Sequence, residues 1–107
     1  MAADDGPLSS PGKTPPALTE LVSRVHRLAA NSENMELPSP HLRLRMAQRG
    51  VVMRQILETL LHGEGISGPT LDVYGDWRIK LRRMVAGRRV QVVVAVKQRS
   101  FSVVTVI

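Results

Sequence analysis

The stretch Val90-Gln-Val-Val-Val-Ala-Val96 is nearly continuous β-branched apolar sequence, and it constrains the fold more than any other segment. Such a run favours extended backbone and reads as a central strand covered on both faces. Two further strand-like runs bracket it. Trp77–Val85 alternates, with Trp77, Ile79 and Leu81 on one side and Arg78, Lys80 and Arg82 on the other. Phe101–Ile107 is uncharged. The connections Ala86-Gly87-Arg88 and Gln98-Arg99-Ser100 are too short for a crossover helix, so the three runs form an antiparallel meander. A short extra strand fits Leu71–Tyr74, broken by Gly75-Asp76, whereas Glu64–Thr70, with two glycines and a proline, reads as a loop.

Ahead of the strands the period changes to that of a helix. Leu18, Leu21, Val22, Val25, Leu28 and Ala29 form one stripe, with Thr14 as cap, Pro15 at the first helical position and Asn31 as the stop. Asn31–Pro38 reads as a linker. Ser39-Pro40 is a second cap-then-proline start, and Gly50 ends the helix it opens. Within that helix His41, Arg45 and Arg49 are spaced i, i+4, i+8, about 40° apart per step, so they share one edge. Leu42 and Met46 lie beside that edge and face the core. A third helix follows, with Val52, Ile56, Leu57, Leu60 and Leu61 inward and Gly63 closing it. The expected fold is α+β: N-terminal helices, then an antiparallel β-meander of three to four strands, with the helices packed on one face. The divisions are residues 1–13 as a disordered tail, 14–31 as an N-terminal amphipathic helix, and 39–107 as a single α+β domain.

Charge is concentrated in one part of the chain. The formal net charge is +6, yet residues 1–36 hold five acids against three bases. Residues 37–107 hold twelve bases, ten of them arginine, against four acids. Arginine meets phosphate bidentately and stays charged at any working pH, so this field, unless it only solubilises, implies an anionic partner: nucleic acid, an acidic protein or, less favoured, a membrane surface, with RNA and an acidic partner such as a cognate inhibitor as the expected ones. No apolar run approaches the ~18–20 residues of a membrane span. The absence of cysteine excludes disulfides and thiolate metal sites and fits a cytoplasmic location. Three scattered histidines and sparse carboxylates point to no metal and no cofactor.

The motifs for phosphate cradles, dinucleotide binding and serine nucleophiles are all missing. His41 and the arginines remain, a set suited to metal-free phosphoryl chemistry. RNA cleavage needs proton transfer near the 2′-hydroxyl and at the leaving oxygen, and cations around the phosphorus. Histidine suits the first two tasks and arginine the third. The same residues also have a plain reading. His41 can be a surface residue in a first helical turn, Arg49 suits a helix C-terminus, and Arg78, Lys80 and Arg82 can be a solvated face able to carry a phosphate backbone. His26 and His62 read as structural or solvated. Tyr74, Trp77 and Phe101 read as core or strand-pair residues rather than base-stacking platforms.

The segment Ser39-Pro-His41-Leu-Arg-Leu-Arg45-Met46-Ala-Gln-Arg49-Gly50-Val51 resembles the opening signature of a bacterial domain-of-unknown-function family (number 4258), Ser-x-His-Ala-x-x-Arg-Met-x-x-Arg-Gly-Ile. Gly63, the Gly87-Arg88 turn, Val92–Val94 and Val103–Val106 extend the resemblance over residues 39–107. Leu42 and Val51 depart from the usual alanine and isoleucine, and Ile107 stands where an aromatic residue is common. The helix-then-meander pattern is in turn similar to the metal-independent ribonuclease toxins of the RelE and barnase types. That wider resemblance implies His41, Arg45, Arg49 and Thr105 at an active cleft, with Thr105 as an orienting hydroxyl.

Two functions follow as expectations. One is a metal-independent endoribonuclease of toxin type, with His41 as acid or base and Arg45 and Arg49 on the phosphate. The other is a non-catalytic module whose basic sheet binds RNA or an acidic protein. Separately, Phe101–Ile107 makes a poor bare edge, so it is expected inside the sheet, or covered by the first helix, a second copy in a homodimer, or a partner protein.

Overall fold

The computed structural model describes residues 14–107; the expected tail, residues 1–13, lies outside them. Helix α1 spans Leu18–Ala29, α2 Pro40–Arg49 and α3 Met53–His62. Strands β1 (Glu64–Leu71), β2 (Trp77–Val85), β3 (Arg88–Val96) and β4 (Phe101–Val106) form one antiparallel sheet in chain order. This is the expected α+β fold, with four strands in the meander.

Alternation divides the sheet into two faces. Ile79 and Leu81 on β2 lie beside Val94 and Val92 on β3, which in turn lie beside Val103 and Val106 on β4. All six are buried, and they meet Leu21, Val25 and Leu28 of α1, Leu42 of α2, and Ile56 and Leu60 of α3. The outward face carries Arg78, Lys80 and Arg82 beside Ala95, Val93 and Gln91. Val93 is half-buried and Ala95 buried there, although among the described residues no second layer of helices covers this face. In β4 the register skips Val104: Val93 pairs with Thr105, and Val94 with Val103. This bulge lets Val103 and Val106 both face the core while Thr105 faces outward.

Several local expectations change. Helix α1 starts at Leu18 with Ala17 as its cap, not at Thr14-Pro15, because Pro16 disfavours helical backbone at Pro15. Helix α1 ends at Ala29 with Ala30 as its cap, and Asn31 is the first residue in extended backbone, as expected of a stop; its side chain also accepts a hydrogen bond from the Glu33 amide and starts the short 3₁₀ turn Ser32–Asn34 inside the expected linker. Ser39 caps α2 through its hydroxyl, 3.1 Å from the Leu42 amide, and Gly50 ends it in left-handed backbone, as the sequence indicates. Val52 is not on the inner face of α3 but exposed at its cap, where its amide donates to Gln55 Oε1. Buried Thr59 takes an inner place, donating its hydroxyl to the Gln55 carbonyl.

Glu64–Thr70 is a strand, not a loop. Its irregular register against β2 accommodates extra residues between Gly65 and Thr70. Gly65 serves close approach: a Cβ there would lie 2.6 Å from Cγ2 of Val22 on α1. Leu71 ends this strand, so Asp72–Asp76 is a turn. The β2–β3 hairpin turns at Ala86 and Gly87, both at positive φ (52° and 76°), which matches strand twist as a type I′ turn does.

Strand β4 is not inside the sheet. It is the edge, and it is α2 rather than α1 that packs against it. Met35 adds a single parallel bridge at Phe101, where the Glu36 amide donates to the Phe101 carbonyl at 2.9 Å.

Candidate functional site

The outward face places Arg78, Lys80 and Arg82 at every second residue of β2, about 6.6 Å apart along the strand. Strand β3 adds Arg89 beside Met84 and Gln91 beside Arg82, and β4 adds Thr105. Every acid of residues 37–107 lies within 4.0 Å of a base: Glu58 at Arg83, Glu64 at Arg82, Asp72 at Arg78, and Asp76 at Lys97. Lys80 and Arg89 have no carboxylate that close among the described residues, so the face keeps a positive surplus.

At one end of this face a cavity of about 740 Å³ opens between the start of α2 and the β1–β2 turn, and His41, Tyr74, Arg78, Lys97 and Ser102 contribute to its walls. The turn is built on Asp72. Its carboxylate, 8% exposed, accepts from the Tyr74 and Asp76 amides at 2.9 Å each and from Arg78 Nε at 3.1 Å. Burial pushes the Asp72 carboxyl up, but the two amides and the Arg78 guanidinium outweigh it and hold the group below its ordinary value. The contact uses Nε of Arg78, and its two terminal amino groups make no hydrogen bond to a described residue. Lys97 donates to Glu36 at 2.6 Å and lies 4.0 Å from Asp76, joining the two walls. The hydrogen bond to Glu36, opposed by burial and aided by the nearby carboxylates, raises the Lys97 ammonium above its ordinary value.

The expected site residues separate. His41, in the first turn of α2, is exposed and lines the cavity with Arg78. Arg45, Arg49 and Thr105 do not line it. Each step of four along α2 advances about 6 Å, so Arg45 and Arg49 recede from His41 along the helix. Arg45 donates to Gln48 at 3.4 Å, while the carbonyls of Arg49 and Gly50 accept from the Arg88 guanidinium. Thr105 donates to the Val106 carbonyl at 3.3 Å. Lys80 lines an adjoining depression with Ser67, Thr70 and Arg78, and Arg82 a third with Glu64 and Arg89. His26 is structural, its Nε2 lying 2.9 Å from the Gly63 carbonyl.

Tyr74 overturns an expectation. It is not a core residue but 81% exposed, on the cavity wall. The sequence signal was the run Asp72-Val-Tyr-Gly75-Asp76, in which Asp and Gly mark a side-chain-closed turn that pushes the intervening residues outward. Phe101 is fully buried and Trp77 half-buried, as core and strand-pair roles require.

Among the described residues, no group of three His, Asp or Glu side chains is placed to hold a metal ion. No helix there is long and apolar enough to cross a membrane.

These features define an α+β protein with one helix-covered sheet face and one open basic face ending in a histidine-bearing cavity. The sequence profile of the family described as Domain of unknown function (DUF4258) matches residues 39–107, and the chain belongs to that family. No curated protein and no solved structure matched the chain. Helix α1 lies ahead of the matched segment, while α2 and the cavity lie within it except for Glu36 and Leu37 on the cavity wall.

Proposed function

We propose that the open sheet face binds RNA and that the cavity at its end cleaves the phosphodiester bond without a metal. The observation that carries this reading is the presence of His41 and Arg78 in one cavity, at the end of the row Arg78, Lys80, Arg82. His41 takes the proton of a 2′-hydroxyl, the 2′-oxygen attacks phosphorus, and the bond to the 5′-oxygen breaks. The products are a 2′,3′-cyclic phosphate and a 5′-hydroxyl protonated from water. Arg78 opposes the charge that builds on the non-bridging oxygens. Lys80, Arg82 and, along α2, Arg45 and Arg49 hold flanking phosphates, and Thr105 offers a hydroxyl on the same face. An acidic inhibitor protein would compete for this surface.

A second reading is RNA binding without cleavage. It is favoured by one observation: among the described residues His41 is the only histidine on the cavity wall, whereas cleavage uses both a base and an acid. Cleavage of labelled RNA in EDTA by wild type, His41→Ala and Arg78→Ala decides between them. The enzyme reading expects a loss on the order of 10²–10⁴-fold in rate for His41→Ala, with binding retained. A wild-type protein that binds RNA yet cleaves none leaves the binding module; binding of no RNA removes both.

A further inference from the structure

Tyr74 is a large aromatic ring with no burial to explain it. It stands 81% exposed on the wall of the cavity that also holds His41 and Arg78, and Leu37, 91% exposed, contributes to the same walls. Its position is set with care. The Tyr74 amide donates to Asp72 Oδ1 at 2.9 Å, and Arg78 Nε donates to the other oxygen of that carboxylate at 3.1 Å. One carboxylate therefore holds the backbone that carries an exposed aromatic ring and, through Nε, the guanidinium of Arg78 on the same cavity wall. A nucleotide offers the matching pair, a flat base and a phosphate.

We propose that Tyr74 is a stacking platform for one unpaired base whose phosphate lies at Arg78, so that the substrate class of this site is single-stranded RNA. The inference rests on the RNA reading above and narrows it. A base inside an A-form duplex is stacked on its neighbours and cannot lie on the ring, while an unpaired base can. Stacking on an aromatic side chain tolerates every base, so the platform selects strandedness before sequence. Asp72 is the positioning residue for Arg78 and for the turn that carries Tyr74.

The test measures binding of the full chain to three labelled RNAs: a single-stranded octamer, a hairpin duplex, and an octamer of the same phosphates with abasic sugars. Wild type is expected to bind the single strand on the order of ten-fold more tightly than the abasic strand, and more tightly than the duplex. Tyr74→Ala loses that margin but keeps its affinity for the abasic strand and the salt dependence of binding, since no cation has been removed. Tyr74→Phe restores the margin, because stacking needs the ring and not the hydroxyl. Equal affinity of wild type and Tyr74→Ala for the octamer overturns the platform while leaving the RNA reading intact, as does failure of Tyr74→Phe to restore. Failure of wild type to bind any of the three removes the RNA reading and the platform with it. An unchanged melting temperature confirms that the exposed substitution leaves the fold alone.

Discussion

Asp72 and Arg78 are joined by one charged hydrogen bond, Nε to Oδ2 at 3.1 Å, that ties the β1–β2 turn to the first outward-facing residue of β2. The same carboxylate closes the turn on itself through two backbone amides. A single ionised group thus decides both the shape of the turn and the orientation of the guanidinium facing the cavity.

The pH dependence of stability follows from that group. Its folded-state pKa lies below the ordinary carboxylate value of about 3.9. The stability it supplies is therefore fully present above that value and is lost as pH falls through the lower, folded-state value. Asp72→Asn is expected to cost about 1–3 kcal/mol at neutral pH, the range for losing hydrogen bonds to a charged acceptor. Denaturant curves of the two proteins should converge on acidification; a constant gap down to the acid transition would contradict the assignment.

Gly65→Ala tests the seat of α1. The added methyl would lie 2.6 Å from Val22 Cγ2 and 3.1 Å from Leu18 Cγ. Val22 is β-branched and held on a helix, so it has little freedom to turn aside. A loss of about 1–3 kcal/mol is expected from thermal unfolding. Little or no loss would mean that α1 can lift from β1 without cost.

The β2–β3 hairpin invites a gain. Ala86 sits at φ 52°, where an alanine Cβ is strained by about 1–2 kcal/mol. Ala86→Asn creates the Asn-Gly pair that type I′ turns favour, and it is expected to stabilise the protein by about 0.5–1 kcal/mol. A lower melting temperature for this variant would argue against the turn assignment.

The meander was legible because Val90–Val96 and Trp77–Val85 carry their pattern locally, in β-branched content and strict alternation. Helix α2 was legible to the residue, since Ser39, Pro40 and Gly50 each act on their own backbone. Strand β1 was not. Its glycines mean close contact with α1 and an irregular ladder against β2, both set by tertiary partners that no local window contains. In the candidate site, His41 and Arg78 were read from the sequence, and they do share a cavity. The grouping of His41 with Arg45, Arg49 and Thr105 rested on helix spacing and resemblance. Spacing gives the edge of a helix but not which end of it meets the cavity. Tyr74 was missed because aromatic residues are usually buried, and the turn that exposes it depends on a side chain of Asp72 bonding two residues onward.

Helix α1 lies outside the segment matched by the family profile, yet Leu21 and Val25 are wholly buried in the common core with Leu81 and Leu60. The boundary drawn by sequence similarity therefore passes through the hydrophobic interior and does not separate two bodies. A fragment cut at residue 39 would keep α2 and α3 but expose to water the part of the apolar sheet face and of α3 that α1 covers. The segment that the family profile matches is shorter than the body that the core holds together.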